Sequence, residues 1–284
     1  MTVKVVTDST SDIPRALAES LGITVVPLNV HFGEDTYLDG VTIGAEEFFR
    51  RLQTSAVFPK TSQPSAGLFI DTYRKLFDGG ATAIVSIHIS SKVSGTFNSA
   101  VQAKADLGDS APISIVDTGQ ASMGLGLIAM AAARAASRGE SAPAVSDLAS
   151  RLSGAARFFG LLDTLEYLHK GGRIGKAQML LGSLLKIHPI LTMQDGVAHP
   201  LERARTRARG IERIKGIARE SAPLSGLSVL HTTQPDEAQS IANDLKAIAP
   251  NGEITIAQFG PVLGTYLGPG ALGVALIGVD KTSR

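Results

Sequence analysis

The sequence predicts an α/β fold of two domains, each with a mostly parallel sheet flanked by helices. Three observations lead there. Strand-like and helix-like segments alternate through the 284 residues, the pattern of stacked βαβ units. Val3 to Val26 already reads as strand, helix, strand. About nine strand segments in this length favour two sheets over one. The best joints are Arg138 to Pro143 and Ser153-Gly154. The division is drawn as 1–153 and 154–284, and it need not be continuous in the chain.

Val3 to Val6 is the first strand, and Asp8 to Asp12 precede Pro14. A side-chain cap followed by proline near the first helical position is a helix start. That helix runs to Leu21 and stops at Gly22, before a strand at Ile23–Val26. Residues 36–40 read as a hairpin or loop, 45–53 as a short helix and 54–64 as a loop. A helix over 66–77 leads to a strand at 83–87; after Ser90 to Thr96 a helix runs to about Leu107. A strand at 113–116 ends at Asp117, and helices over 121–137 and 143–153 follow. Strand pattern restarts at 158–162. Residues 165–170 and 174–185 are helical pieces broken by Gly171-Gly172. A strand at 189–193 reaches Asp195-Gly196, a hairpin turn. Residues 206–220 form a basic helix and 227–231 a strand. Ala238, Ile241, Ala242, Leu245, Ile248 and Ala249 fall at helical spacing. Strands at 253–256 and 272–279 complete the pattern.

Lys and Arg number 27 against 26 Asp and Glu, a net charge of +1. Such a balance argues against nucleic acid as a partner. The absence of cysteine excludes disulfides, thiolate metal sites and thiol catalysis, and fits a cytoplasmic location. The N-terminal segment does not read as a signal peptide. The longest apolar stretch, 123–133, holds two glycines and ends at Arg134, so it reads as a buried helix and not a membrane span. The six histidines lack metal-ligand spacing, and neither the G-x-S-x-G nor the P-loop pattern occurs. We therefore expect no metal, no cofactor and no catalytic residue; the spacing points to binding before catalysis.

Three hydroxyl-rich segments open helices: 8–12, 61–65 and 90–96. Two readings are open for each. Ser and Thr are good helix caps. Together at one sheet edge, beside free helix N–H groups, they can also cradle a small anion. Gly95 lets backbone approach a ligand closely. Arg173, after the glycine pair, is placed to hold a carboxylate or a partner's acid, or else begins a solvated helix. The basic run 202–209 reads as a solvated helix face or a docking surface. Gly268 to Gly273 matches G-x-G-x-x-G, but a strand follows where a helix is needed, so it is no dinucleotide motif.

Taken together, Thr7 to Asp12, Thr61 to Ser65, Ile89 to Thr96, Leu165 to Ile174 and Gly268-Pro269-Gly270 resemble the DegV family, the fatty-acid-binding subunits of bacterial fatty acid kinase systems. The matches run in order through nearly the whole chain. The resemblance implies two α/β domains with a long apolar tunnel between them. A long-chain fatty acid would lie there, its carboxylate held by the Thr61 and Ser94 hydroxyls and the Gly95 N–H, with Ser62 and Thr96 alongside. A separate ATP-dependent fatty acid kinase would phosphorylate it. Arg173 and Arg205 match arginines near the mouth and the kinase-docking face. Two positions depart from the family pattern. Tyr266 stands where a histidine is usual, and His188 where a lysine is common. We expect Tyr266 to replace that histidine as a carboxylate donor. The alternatives from other classes are a stand-alone acyl or phosphoryl transferase and a carrier of a small phosphorylated metabolite. Transient membrane contact is compatible with this reading, and the oligomeric state is open.

Overall fold

A computed structural model describes residues 2–108, 110–181 and 187–279. The first third contains β1 (Val3–Asp8), α1 (Arg15–Ser20), β2 (Ile23–Val26), β3 (Asn29–Phe32), β4 (Asp35–Leu38), α2 (Ala45–Thr54), β5 (Lys60–Ser62), α3 (Ala66–Asp78) and β6 (Ala83–His88). Next come α4 (Thr96–Leu107), β7 (Ile113–Asp117), α5 (Met123–Ser137), α6 (Ala142–Ala155), β8 (Ala156–Leu161) and α7 (Glu166–Lys170). The chain continues through β9 (His188–Gln194), β10 (Val197–Ala204), α8 (Arg207–Glu220), β11 (Leu224–His231), α9 (Pro235–Leu245), β12 (Thr255–Gln258), α10 (Pro261–Leu267) and β13 (Leu272–Gly278).

The first sheet has the order β2-β1-β6-β7 and is parallel throughout. The second, β10-β9-β8-β13-β11-β12, is mixed, and only β11 and β12 pair in parallel. This corrects the expectation of a mostly parallel second sheet. Buried strands read as continuous apolar runs whichever way they point, so the pattern carries no direction. Two features reverse it. The β9–β10 hairpin turns at Asp195-Gly196, both at positive φ (52° and 75°), as a tight hairpin needs. The last strand, β13, inserts between β8 and β11, antiparallel to both. A third, small antiparallel sheet, β4-β3-β5, comes from segments read mostly as loop.

α5 explains its own greasy sequence. It packs on β1 of the first sheet and on β8, β11 and β13 of the second. Buried on both sides as far as Ala133, it has no polar face there to show, and Leu125 and Ile128 are wholly inaccessible. Each such side chain contributes about 1.5–3 kcal/mol. One apolar cluster therefore runs from Val5 and Ile87 through α5 to Phe158 and Ile277. On the far face of the second sheet, α8 and α9 cover Leu161, Ile190 and Val229. The α9 period holds as far as Leu245, with Ala238, Ile241, Ala242 and Leu245 buried; the helix ends there, and Ile248 and Ala249, expected on it, fall in and after a 3-10 turn and are only half-buried. Thr206 caps α8 by accepting from the Arg209 N–H at 3.3 Å. The helical piece expected over 174–185 is a 3-10 turn at Gly175–Leu180, and its last residues lie outside the described ones. No helix among the described residues is long and apolar enough to cross a membrane.

Close packing of α5 is testable at Gly126, where a Cβ would stand 2.6 Å from the Ser11 carbonyl oxygen. Alanine is the better helix former. Even so, Gly126→Ala should destabilise by about 1–3 kcal/mol through overpacking. Chemical denaturation checks this; equal or greater stability would refute the close contact.

Candidate functional site

The C-terminal edge of a parallel sheet is where loops and helix starts gather. Here β1 ends at Asp8 and β6 at His88, side by side. The Asp8 carboxylate turns inward. It accepts from the Thr10 and Ile89 N–H groups, each at 3.1 Å, and from the Thr10 hydroxyl, and it meets His88 Nδ1 at 2.9 Å. Asp8 thus caps the short turn Ser9–Ser11 and ties the first hydroxyl loop to the chain after β6. The cap reading holds for its acid; from this loop Thr10 reaches the cavity described next.

That cavity lies between the two sheets, with a volume of about 910 Å³ including its open mouth. Its walls are apolar: Leu28, Ile89, Leu162, Leu168, Met193 and Leu263 are representative. Its polar residues include Thr61, Ser62, Gln63, Ser94, Arg173 and Tyr266. β5 supplies the first of these. It pairs with β3, Thr61 opposite Val30. Ser62 is held by Asn29 Nδ2 at 3.1 Å and meets His31 Nε2 at 3.0 Å. The Thr61 hydroxyl touches the Tyr266 hydroxyl. Two hydroxyls in contact use one proton between them, which leaves the other O–H free to donate.

Ser94 sits at the start of α4. Its oxygen accepts from the Thr96 N–H at 3.3 Å and lies 2.8 Å from the Thr96 hydroxyl. Thr96 itself is wholly buried and does not line the cavity. Gly95 is constrained by a neighbour: a Cβ there would stand 2.9 Å from Gln63 Cδ. Gly95 faces a polar depression at the mouth, shared with Ser91, Lys92, Ser94 and Arg173.

The glycine pair now has a cause. A Cβ on Gly171 would collide with the Tyr266 ring, and Gly172 has φ 69°. Arg173 then reaches across the mouth. Its Nε donates to the Val93 carbonyl at 3.3 Å and its Nη1 to Gly171 O at 3.1 Å. The guanidinium stands 5.4 Å from the Tyr266 ring centroid, a cation–π arrangement. Arg205 is exposed and lines neither cavity nor mouth. Its neighbour Arg207 is engaged instead, with Asp163 at 2.7 Å and Glu237 at 2.6 Å. His188 also meets Asp163, at 3.1 Å. Gly268 and Gly270 have φ of 70° and 86° and admit the Tyr167 ring and the Asp163 carboxylate, so the glycine motif is a packing turn.

Sequence reasoning missed Gln63, the Val93 carbonyl and α10, the helix that carries Tyr266. A signal for α10 existed in Gly260-Pro261, a proline at a first helical position.

A parallel and a mixed sheet enclosing an apolar cavity with a hydroxyl-and-arginine mouth define an α/β protein built around an internal cavity. The chain belongs to the DegV family, whose family model, described as an uncharacterised protein, matches residues 2–279. A DegV domain-containing protein of Streptomyces coelicolor is 38% identical over 279 residues, covering 96% of this chain and 98% of that one. A fatty-acid-binding DegV family protein from Thermus thermophilus superposes with a TM-score of 0.90 at 34% identity, covering 98% of this chain and 100% of its own. A stearic-acid-binding protein from Eubacterium ventriosum gives 0.85 at 28% identity, covering 97% and 98%.

Replacing Asp8 should loosen the loops at this edge. Asp8→Asn leaves at least one of the buried Thr10, Ile89 and His88 groups without an acceptor. A cost of about 1–3 kcal/mol is expected for each group so stranded. Urea unfolding measures it, and an unchanged midpoint would show the network to be dispensable.

Proposed function

We propose that this protein binds one long-chain fatty acid in the cavity and presents it to a separate ATP-dependent kinase. The carboxylate is held by the Thr61 and Ser94 hydroxyls and the Gly95 N–H, with Tyr266 in contact with Thr61. The observation that carries this reading is the meeting of Thr61, Tyr266 and Arg173 at the polar end of an otherwise apolar cavity. Fatty acid binding by the Thermus and Eubacterium relatives supports it. So does the energetics. Burial is worth about 0.8 kcal/mol per CH₂, so about fourteen methylenes contribute about 11 kcal/mol. Association costs about 4–15 kcal/mol. The tail alone therefore roughly offsets association, and the hydrogen bonds to the carboxylate decide affinity.

In this reading 1–153 supplies the hydroxyl loops and 154–284 the opposing wall. Thr96 acts through Ser94, and Ser62 braces the strand that carries Thr61. Lys92 and Arg173, beside the α4 N-terminus, suit a developing phosphate at the mouth. Arg205 is left for partner docking alone. The protein itself does no chemistry.

Lipid extraction of denatured protein, with native mass spectrometry, tests the reading. One acyl chain per protein is expected. Repeated absence of acyl species, with no uptake of added fatty acid, would refute it. For the site itself, Thr61→Ala and Ser94→Ala should each weaken binding by about 1–3 kcal/mol, and Tyr266→Phe by about 1–2 kcal/mol. Titration with a fluorescent fatty acid reads this out. Unchanged affinity in a folded Thr61→Ala/Ser94→Ala double variant would make these hydroxyls helix caps only.

A further inference from the structure

We propose that Asp12 is a positioning residue for the lipid site, pinning the start of α10 and so Tyr266, and that the Asp12–Asp39 pair makes lipid exchange past α10 sensitive to protonation. This rests on the fatty-acid reading. α10 is a wall of the cavity, to which it gives Val262, Leu263, Tyr266 and Leu267. Whatever holds its first turn governs how readily that wall yields.

Asp12 joins three segments. Its Oδ1 accepts from the Gly260 N–H at 2.9 Å, and Gly260 is the cap residue of α10. Its Oδ2 accepts from the Ser122 hydroxyl at 2.6 Å, and Ser122 precedes α5. Both side-chain partners are buried, Asp12 at 8% exposure and Ser122 at 0%. Both also sit at positive φ, 52° and 54°. Residues with a Cβ rarely adopt that region, and strain of this kind persists only where the surroundings impose it. Aspartate takes the left-handed region readily, as Asp12 does at φ 52° and ψ 22°, but Ser122 at φ 54° and ψ −148° is strained, and the hydrogen bond between the two marks a joint, not a passive loop.

Asp39 completes it. A Cβ on Gly260 would stand 3.1 Å from Asp39 Oδ1 and 3.3 Å from Asp12 Oδ1, so both carboxyls crowd one backbone position. Asp39 is 4% exposed, and its Oδ2 has no hydrogen-bond partner among the described residues. Facing the pair are Asp8 at the end of β1, the Arg15–Glu19 ion pair on α1 at 2.8 Å, and His231 at the end of β11. Asp12 also faces the Ser122 hydroxyl before α5 and the Gly260 N–H, and Asp39 faces the Ser9 hydroxyl and the Val262 backbone of α10, which favour its ionised form against the effect of burial. Arg15 is spent on Glu19, and burial pushes the His231 pKa down, so neither brings a free cation to the pair. Burial pushes Asp39 up to about 7 and holds Asp12 well above the usual carboxylate range. Below about pH 7 Asp39 keeps its proton and can share it with its neighbour. Above, a carboxylate forms beside Asp12 at the foot of α10, in a buried place with no free cation, and the cost of that buried charge loosens the pin.

The test is release of preloaded cis-parinaric acid into excess lipid vesicles, followed by fluorescence between about pH 5.5 and 8.5, with circular dichroism confirming the fold. Wild type should release faster as pH rises, with a midpoint near 7. Asp39→Asn should abolish that midpoint and stay slow. Asp12→Ala should release about tenfold faster at every pH, the scale of one lost buried hydrogen bond. Asp12→Asn, which keeps the acceptor for Gly260, should recover most of the slow release. A midpoint near 7 that survives Asp39→Asn overturns the proposal, as does wild-type-like release by folded Asp12→Ala. If Asp12→Ala does not fold, Asp39→Asn alone decides. Failure of wild type to take up the probe overturns the fatty-acid reading instead, which separates the two.

Discussion

The close seating of α10 fixes the polar end of the cavity. Four contacts require it, each at a glycine. Gly260 lies against Asp12 and Asp39, and Gly264 against Phe48 and Phe49 of α2. Gly171 makes room for the Tyr266 ring, and Gly268 for Tyr167. A methyl group at any of these would push the helix or its neighbour away. With the helix seated, Tyr266 meets Thr61 and Arg173 closes over its ring. The mouth is assembled from segments far apart in the chain, and the joint between them is one short helix.

The second dependence is on α5. A helix buried between two sheets leaves nothing for solvent, which is why 123–133 is apolar without spanning a membrane. It spaces the sheets. The cavity occupies the remaining interval, walled by side chains from both sheets, such as Ile89 and Leu162. A carboxylate entering that interval loses water and must find donors, because a buried unpaired charge is costly. Its tail needs only apolar wall. The same asymmetry, polar at one end and greasy elsewhere, is what a fatty acid presents.

Much of the fold was legible because periodicity reports burial. The α9 spacing as far as Leu245, the first βαβ unit and the Asp195-Gly196 turn stood in the sequence as they stand in the structure. Strand direction did not, since apolar runs such as 272–279 look alike in parallel and antiparallel sheets. β5 was too short for any period to show, although it carries Thr61. Of the expected site residues, Thr61, Ser62, Ser94, Arg173 and Tyr266 come together around the cavity. Thr96 stands behind Ser94, and Arg205 lies apart. Motif order supplied the first group; no local pattern could report that Arg207, two residues on, would take the structural ion pairs.

The position of the carboxylate decides which residues form the binding site. A crystal structure with a bound saturated long-chain fatty acid tests it most directly. The carboxylate oxygens should lie within about 3 Å of Thr61 Oγ1 and Ser94 Oγ, hydrogen-bond distance, with the tail running inward past Ile89 and Leu162. A carboxylate found in the cleft beside Asp12, or a reversed chain with its methyl end at Thr61, would contradict it.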